Sequence, residues 1–134
     1  MTLYVDASAL LKRYLRESDS DAAETLLLSD PELTTARHAA VEVRRMLARQ
    51  LSGSDLASAR ADFARDWRLM SVIELTEAVC EVASRIAEST GVRTLDALHL
   101  GAAQHAGAGQ LPFLTFDVRQ AQAARVLGWP VLGV

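Results

Sequence analysis

Leu3-Tyr4-Val5-Asp6 begins the chain as a short apolar, β-prone run that ends on an acid, and Phe113-Leu114-Thr115-Phe116-Asp117 repeats the arrangement near the far end. Bulky β-branched and aromatic residues of this kind fit a pleated, buried surface. The first run takes in Thr2, and three more of the same character lie at Leu33–Thr35, Ser71–Leu75 and Val131–Leu132. The stretches between them carry apolar residues at helical spacing. Ala9, Leu10, Leu11, Tyr14 and Leu15 make one stripe, Val43, Met46, Leu47 and Leu51 a second, and Val79, Val82, Ala83 and Ile86 a third. Residues 55–69 read as a further helix through Leu56, Ala59, Phe63 and Trp67. Gly53 and Gly91 are placed as helix stops, and Gly128-Trp129-Pro130 as the end of the last helix. Strands alternating with helices predict an α/β fold, a three-layer α/β/α sandwich around a largely parallel sheet. Ligands of such sheets bind beyond the carboxyl ends of the strands, which makes Asp6 and Asp117 site candidates by position.

With 134 residues, half of them apolar and 23% charged, the chain suits one globular domain over residues 1–134. The single cysteine, Cys80, excludes an internal disulfide and reads as a core thiol among apolar neighbours. Met1-Thr2-Leu3-Tyr4-Val5-Asp6 has no basic or apolar leader region, so a reducing cytoplasm is the expected compartment. Ala97 to Phe116 contains no Asp, Glu, Lys or Arg, but His99, Gln104, His105, Gln110 and Pro112 argue against a membrane span. The net charge of −3 is unevenly spread. Residues 1–36 carry 3 cations against 7 anions, residues 37–68 carry 7 against 4, and residues 69–134 carry 4 against 6. A basic middle could meet a polyanion or simply be a solvated helix face. Thirteen of the 14 cations are arginine, whose fork suits phosphate, although 23 alanines point equally to compositional bias.

Two further acids stand in apolar settings, Glu42 within Ala39-Ala40-Val41-Glu42-Val43 and Asp96 within Thr94-Leu95-Asp96-Ala97-Leu98. If Asp6, Glu42, Asp96 and Asp117 converge, each pair at ~4 Å repels by about 4 kcal/mol at an effective dielectric near 20. Such a cluster requires a cation or partial protonation. Oxygen ligands without Cys or His at metal spacing select a hard ion, Mg²⁺ or Mn²⁺. Each acid also has a purely structural role open to it. Asp117 with Gln120 spells a capping box, and Asp6 with Ser8 could cap the first helix. Asp96 suits the first turn of a helix capped by Thr94, and Glu42 could pair with Arg45.

On these residues the chain resembles the PIN-domain ribonucleases and, among them, the VapC toxins of bacterial toxin–antitoxin pairs. Val5-Asp6-Ala7-Ser8-Ala9-Leu10, Val41-Glu42-Val43-Arg44-Arg45, Arg93-Thr94-Leu95-Asp96-Ala97-Leu98-His99-Leu100 and Leu114-Thr115-Phe116-Asp117-Val118-Arg119 resemble the family's four motifs in order. One departure is Ala36, where members often carry serine; Thr35 is the neighbouring hydroxyl. The resemblance implies Mg²⁺ or Mn²⁺ at Asp6, Glu42, Asp96 and Asp117, hydrolysis of RNA phosphodiesters, and a homodimer. It also implies a cognate antitoxin that blocks the pocket, with promoter DNA engaged only through that antitoxin. Asp6 and Asp96 would be principal ligands, Asp117 would complete the shell, and Glu42 would hold a second ion or orient water. Ser8 and Thr115 would support them, and Arg13, Arg44, Arg45, Arg49 and Arg119 are candidates for RNA phosphates.

His99 lies three residues after Asp96 and is read as a hydrogen-bonded packing residue in preference to a ligand or base. Together His38, His99, His105 and Cys80 lack zinc spacing. An apolar helix surface on Leu10, Tyr14, Leu26 and Leu27 suits either the core or a partner helix. A receiver-type signalling domain would need a late lysine, yet the only lysine is Lys12, and a dehalogenase-like phosphatase would need an acid at Ser8. The seven aromatics lie mostly inside apolar runs, which disfavours a stacking RNA-binding module. The remaining alternative is a PIN fold that binds nucleic acid without cutting it.

Overall fold

The structure, a computed structural model, describes residues 3–107 and 110–134; Thr2 of the first apolar run lies outside them. Five strands form one sheet: β1 (Leu3–Val5), β2 (Leu33–Ala36), β3 (Ser71–Ile73), β4 (Phe113–Thr115) and β5 (Val131–Gly133). All pair in parallel, in the order β3-β2-β1-β4-β5, so β1 is central. Helices α1 (Ala7–Leu11), α2 (Ser20–Leu28), α3 (Ala39–Gln50) and α4 (Gly53–Trp67) cover one face, while α5 (Glu77–Thr90), α6 (Thr94–Gly107) and α7 (Val118–Val126) cover the other.

The alternation of a strand builds the two cores. Leu3 and Val5 pack with Leu10, Leu27, Val43, Leu47 and Phe63 beneath the first layer. Tyr4, between them, points the opposite way and packs with Val79, Ile86, Leu100 and Phe113. On this second side α5 and α6 lie close together because residue 101 is glycine: a Cβ there would sit 2.9 Å from the Ala83 Cβ. Thr76 caps α5 by accepting from Val79 N at 3.3 Å, and Gly91 ends it in the left-handed region at φ +76°. The turn at Gly91 delivers the chain directly into α6, which carries Asp96 in its first turn.

Four local expectations are corrected. The stripe from Ala9 to Leu15 is helical only to Leu11; Tyr14 and Leu15 reach the core from the turn that follows. Gly53 does not stop α3, which breaks earlier because Leu51 turns extended; at φ +57° Gly53 instead begins α4. Leu10 and Leu27 are fully enclosed in the first core and offer no surface to a partner. Cys80 is half-buried, since it sits beside the Val79–Ala83–Ile86 stripe and not in it. No helix among the described residues is long and apolar enough to cross a membrane.

Candidate active site

Because β1 and β4 are adjacent and parallel, their carboxyl ends place Asp6 and Asp117 at the same edge of the sheet. Asp6 is 3% exposed and every one of its protein contacts is a donor. Its Oδ1 accepts from the Ser8 hydroxyl at 2.6 Å and from Ala9 N at 3.0 Å, which caps α1, while Oδ2 accepts from the Thr115 hydroxyl at 2.6 Å. Burial raises the Asp6 pKa above the usual carboxylate range, against the lowering by His99 and by these hydrogen bonds. The supporting hydroxyls are themselves held: Ser8 Oγ accepts from Phe116 N at 2.9 Å, and Thr115 Oγ1 from Asp117 N at 3.0 Å.

Asp117 is the N-cap of α7, its Oδ1 accepting from Arg119 N at 2.9 Å and Gln120 N at 3.3 Å. Only this half of the capping box forms, for the buried Gln120 amide makes no hydrogen bond among the described residues. Asp96 lies at the start of α6, where Thr94 is already helical and is not its cap. Burial raises the Asp96 pKa, the charges of Asp117 and Glu42 add to the rise, and Arg93 and Arg119 oppose it. Asp96 thus lies within electrostatic reach of both Asp117 and Glu42. Glu42, Arg93, Leu95 and Asp96 line a cleft of about 580 Å³, and a second cleft of about 420 Å³ holds Asp96 with Arg93 and Arg119. Another cleft, about 730 Å³ around Arg13, Tyr14 and Asp62, contains none of the four acids.

Glu42 is half-buried and does not pair with Arg45. Its Oε1 lies 2.7 Å from His99 Nε2 and 3.5 Å from His38 Nε2. Behind it, His99 Nδ1 is 2.8 Å from the Tyr4 hydroxyl, and His38 Nε2 is 3.2 Å from the Leu95 carbonyl. Burial raises the Glu42 pKa, partly offset by His38, and lowers those of His38 and His99 to about 4. Sequence reasoning missed Tyr4 and His38. The i,i+4 spacing of His38 and Glu42 was available as a signal, but their meeting with His99 is a long-range event that ligand spacing does not encode. His38, Glu42 and His99 alone among the described residues bring ligand atoms within 4.8 Å of one another. No three of the four acids bring ligand atoms as close together among the described residues.

The arginines separate into two groups. Arg13 is bound to Glu24 at 3.0 Å and Asp66 at 3.8 Å. Arg44, Arg45, Arg49 and Arg119 form no ion pair among the described residues. Thr35, beside Ala36, is buried and donates to the Val5 carbonyl at 2.8 Å, so its hydroxyl serves the sheet.

Two acids, Asp6 and Asp117, thus follow adjacent parallel strands between helical layers, and the PIN-domain family model matches residues 3–126. The chain belongs to the PIN-domain family. Among curated relatives, ribonuclease VapC46 of Mycobacterium tuberculosis is 31% identical over 130 residues, covering 97% of this chain and 95% of the relative. Ribonuclease VapC49 of the same organism is 32% identical over 131 residues, covering 94% and 91%. Among solved structures, the sarcin-ricin-loop-cleaving toxin VapC20 of M. tuberculosis superposes with a TM-score of 0.70 at 18% identity, covering 98% of each chain. VapBC2 of Rickettsia felis, solved bound to a promoter DNA fragment, gives 0.70 at 9% identity over 98% of this chain and 97% of that one.

Proposed function

We propose that this chain is the toxin of a toxin–antitoxin pair, an endoribonuclease that uses Mg²⁺ or Mn²⁺. The observation that carries the reading is that Glu42 and Asp96 line one cleft, while Asp6, which is buried, and Asp117 end adjacent parallel strands and the charge of Asp117 reaches Asp96. The residues fit a hard ion: Asp6 keeps lone pairs beyond its three donors, and the described contacts leave Asp117 Oδ2, Glu42 Oε2 and the Asp96 carboxylate free. Asp6 and Asp96 would hold the ion, Asp117 would complete its shell, and Glu42 would bind a second ion or the attacking water. When bound, such an ion makes a water more acidic and neutralises charge on the scissile phosphate.

Glu42, with its raised pKa, is suited to take the proton from that water. Ser8 and Thr115 keep the Asp6 carboxylate oriented. Arg119, beside Asp96, and Arg44 and Arg45 on α3 supply cations for RNA phosphates; Arg13, already paired, is the weakest of the proposed contacts. Leu95 (49% exposed) and Val126 (76%) border the two clefts and give an antitoxin segment apolar footing. A cationic residue on that segment would replace the ion in the acidic pocket. Mn²⁺ and an Arg-containing antitoxin peptide should therefore compete in a titration. The family resemblance further suggests a homodimer in the cytoplasm that reaches promoter DNA only through the antitoxin.

The test is to incubate the protein with total bacterial RNA plus Mg²⁺ or Mn²⁺, then with EDTA, beside an Asp96→Asn control. Discrete fragments lost with EDTA and in the variant support the proposal. Ion binding with no difference in cleavage favours a PIN fold that binds without cutting, a reading kept in view by the relative solved on promoter DNA.

A further inference from the structure

Hydrolysis of a phosphodiester does not need a buried tyrosine behind the acidic cleft, yet Tyr4 reaches it through one imidazole. Tyr4 is wholly buried and His99 is 1% exposed. The Tyr4 ring is stacked on Phe113 at 5.1 Å between centroids and meets His99 edge-on at 5.9 Å, so the core fixes where the hydroxyl points. An ionised carboxylate only accepts, and the 2.7 Å contact with Glu42 Oε1 therefore requires a proton on His99 Nε2. In the tautomer with that one N–H, Nδ1 is a lone pair and the Tyr4 hydroxyl is the donor across 2.8 Å.

Resting on the ribonuclease reading for its catalytic consequence, we propose that Tyr4 and His99 are positioning residues for Glu42: Tyr4 sets the His99 tautomer, and His99 Nε2–H holds Glu42 Oε1 so that Oε2 faces the cleft. The placement explains how acids on separate elements keep a common register. Tyr4 lies on β1 two residues before Asp6, and Asp96 and His99 are one turn apart on α6. Through Tyr4–His99–Glu42 the strand and the helix that carry the other acids also orient the acid on α3. His38 supports the same ring, with its centroid 4.1 Å from that of His99 and its Nε2 tied to the Leu95 carbonyl.

The experiment has two parts. Long-range ¹H–¹⁵N NMR on the histidines reads the tautomer without any activity: His99 is expected as the Nε2–H form, shifted toward a mixture in Tyr4→Phe. A double-mutant cycle of Tyr4→Phe with Glu42→Gln then reads kcat, KM and Mn²⁺ affinity. Tyr4→Phe should lower kcat and Mn²⁺ affinity severalfold, less than the roughly tenfold effect of losing a hydrogen bond made directly to a ligand, with KM for RNA nearly unchanged. In the Glu42→Gln background it should change neither further. His99→Gln, which retains an N–H near the Nε2 position, should keep more activity than His99→Ala. An Nδ1–H or doubly protonated His99, or equal losses in both backgrounds, overturns the proposal. If no RNA is cut, the ribonuclease reading fails, while the tautomer still decides whether Tyr4 and His99 hold Glu42 as described.

Discussion

The Thr115 hydroxyl donates to Asp6 Oδ2 at 2.6 Å across 109 residues of sequence, and its oxygen accepts from Asp117 N at 3.0 Å. One hydroxyl thus ties together the acids that end the two adjacent strands.

Thr115→Val keeps the shape and β propensity but removes this tie. Asp6 loses a donor and the Asp117 N–H loses an acceptor, each buried or nearly so, and the expected cost is about 1–3 kcal/mol of stability. Because the hydroxyl lowers the Asp6 pKa, its loss raises that pKa further and weakens Mn²⁺ binding. Thermal denaturation and calorimetric titration of the variant check both effects. Unchanged Mn²⁺ affinity would show that Thr115 serves the fold alone.

Asp96→Asn should separate stability from function. Burial and the charges of Asp117 and Glu42 make the ionised Asp96 unfavourable in the folded state. A raised folded-state pKa means that ionisation at neutral pH opposes folding. The neutral amide should therefore raise Tm in metal-free buffer, whereas cleavage is lost. Mg²⁺ should increase the Tm of the wild type by mass action and leave the variant nearly unmoved. A lower Tm in metal-free Asp96→Asn would indicate that the carboxylate stabilises the start of α6.

Acidification offers a check on the histidine pair. His38 and His99 have folded-state pKa values of about 4, below the ordinary 6.5, chiefly through burial. Between those values the unfolded chain binds more protons, so their contribution to stability is lost as pH falls from 6.5 towards 4. For enclosed His99 the full span amounts to roughly 3 kcal/mol. Asp6, Glu42 and Asp96, with raised values, act in the opposite sense as they protonate. Comparing His99→Gln with the wild type isolates the histidine: the wild type's Tm should fall more steeply over that window. Parallel curves would mean that His99 is not held neutral.

The arginines should divide as the ion pairs do. Arg44→Ala and Arg45→Ala should raise KM for RNA severalfold, leave kcat in place, and each reduce the salt slope of binding by about one. Arg13→Ala should leave KM unchanged and lower stability by about 1 kcal/mol or less through its contacts with Glu24 and Asp66. Filter binding at several salt concentrations and a thermal melt distinguish the two behaviours.

Local pattern was enough for most of the architecture. All five apolar runs became strands, because short, near-continuous apolar runs mark strands of a covered parallel sheet, and β1, β2 and β4 are buried throughout. Asp6 and Asp117 were legible because a strand's carboxyl end is a position in sequence as well as in space, and both also cap helices. Helix ends were read less well. Gly53 looked like a stop because glycine breaks helices, but Leu51 had already turned extended before it.

What the sequence determined by itself was the alternation of strands and helices, the acids in apolar settings and the motif order that marks the family, all carried by residues a few positions apart. Only the tertiary structure decided that Glu42 meets His99 and His38 in place of Arg45, that Tyr4 stands behind them, and that Arg13 is already paired. Those contacts depend on strand order β3-β2-β1-β4-β5 and on the rotation of α3 against α6, and neither leaves a trace in local periodicity. A side chain's partner across 57 residues, as for Glu42 and His99, is chosen by which faces the packed layers bring together.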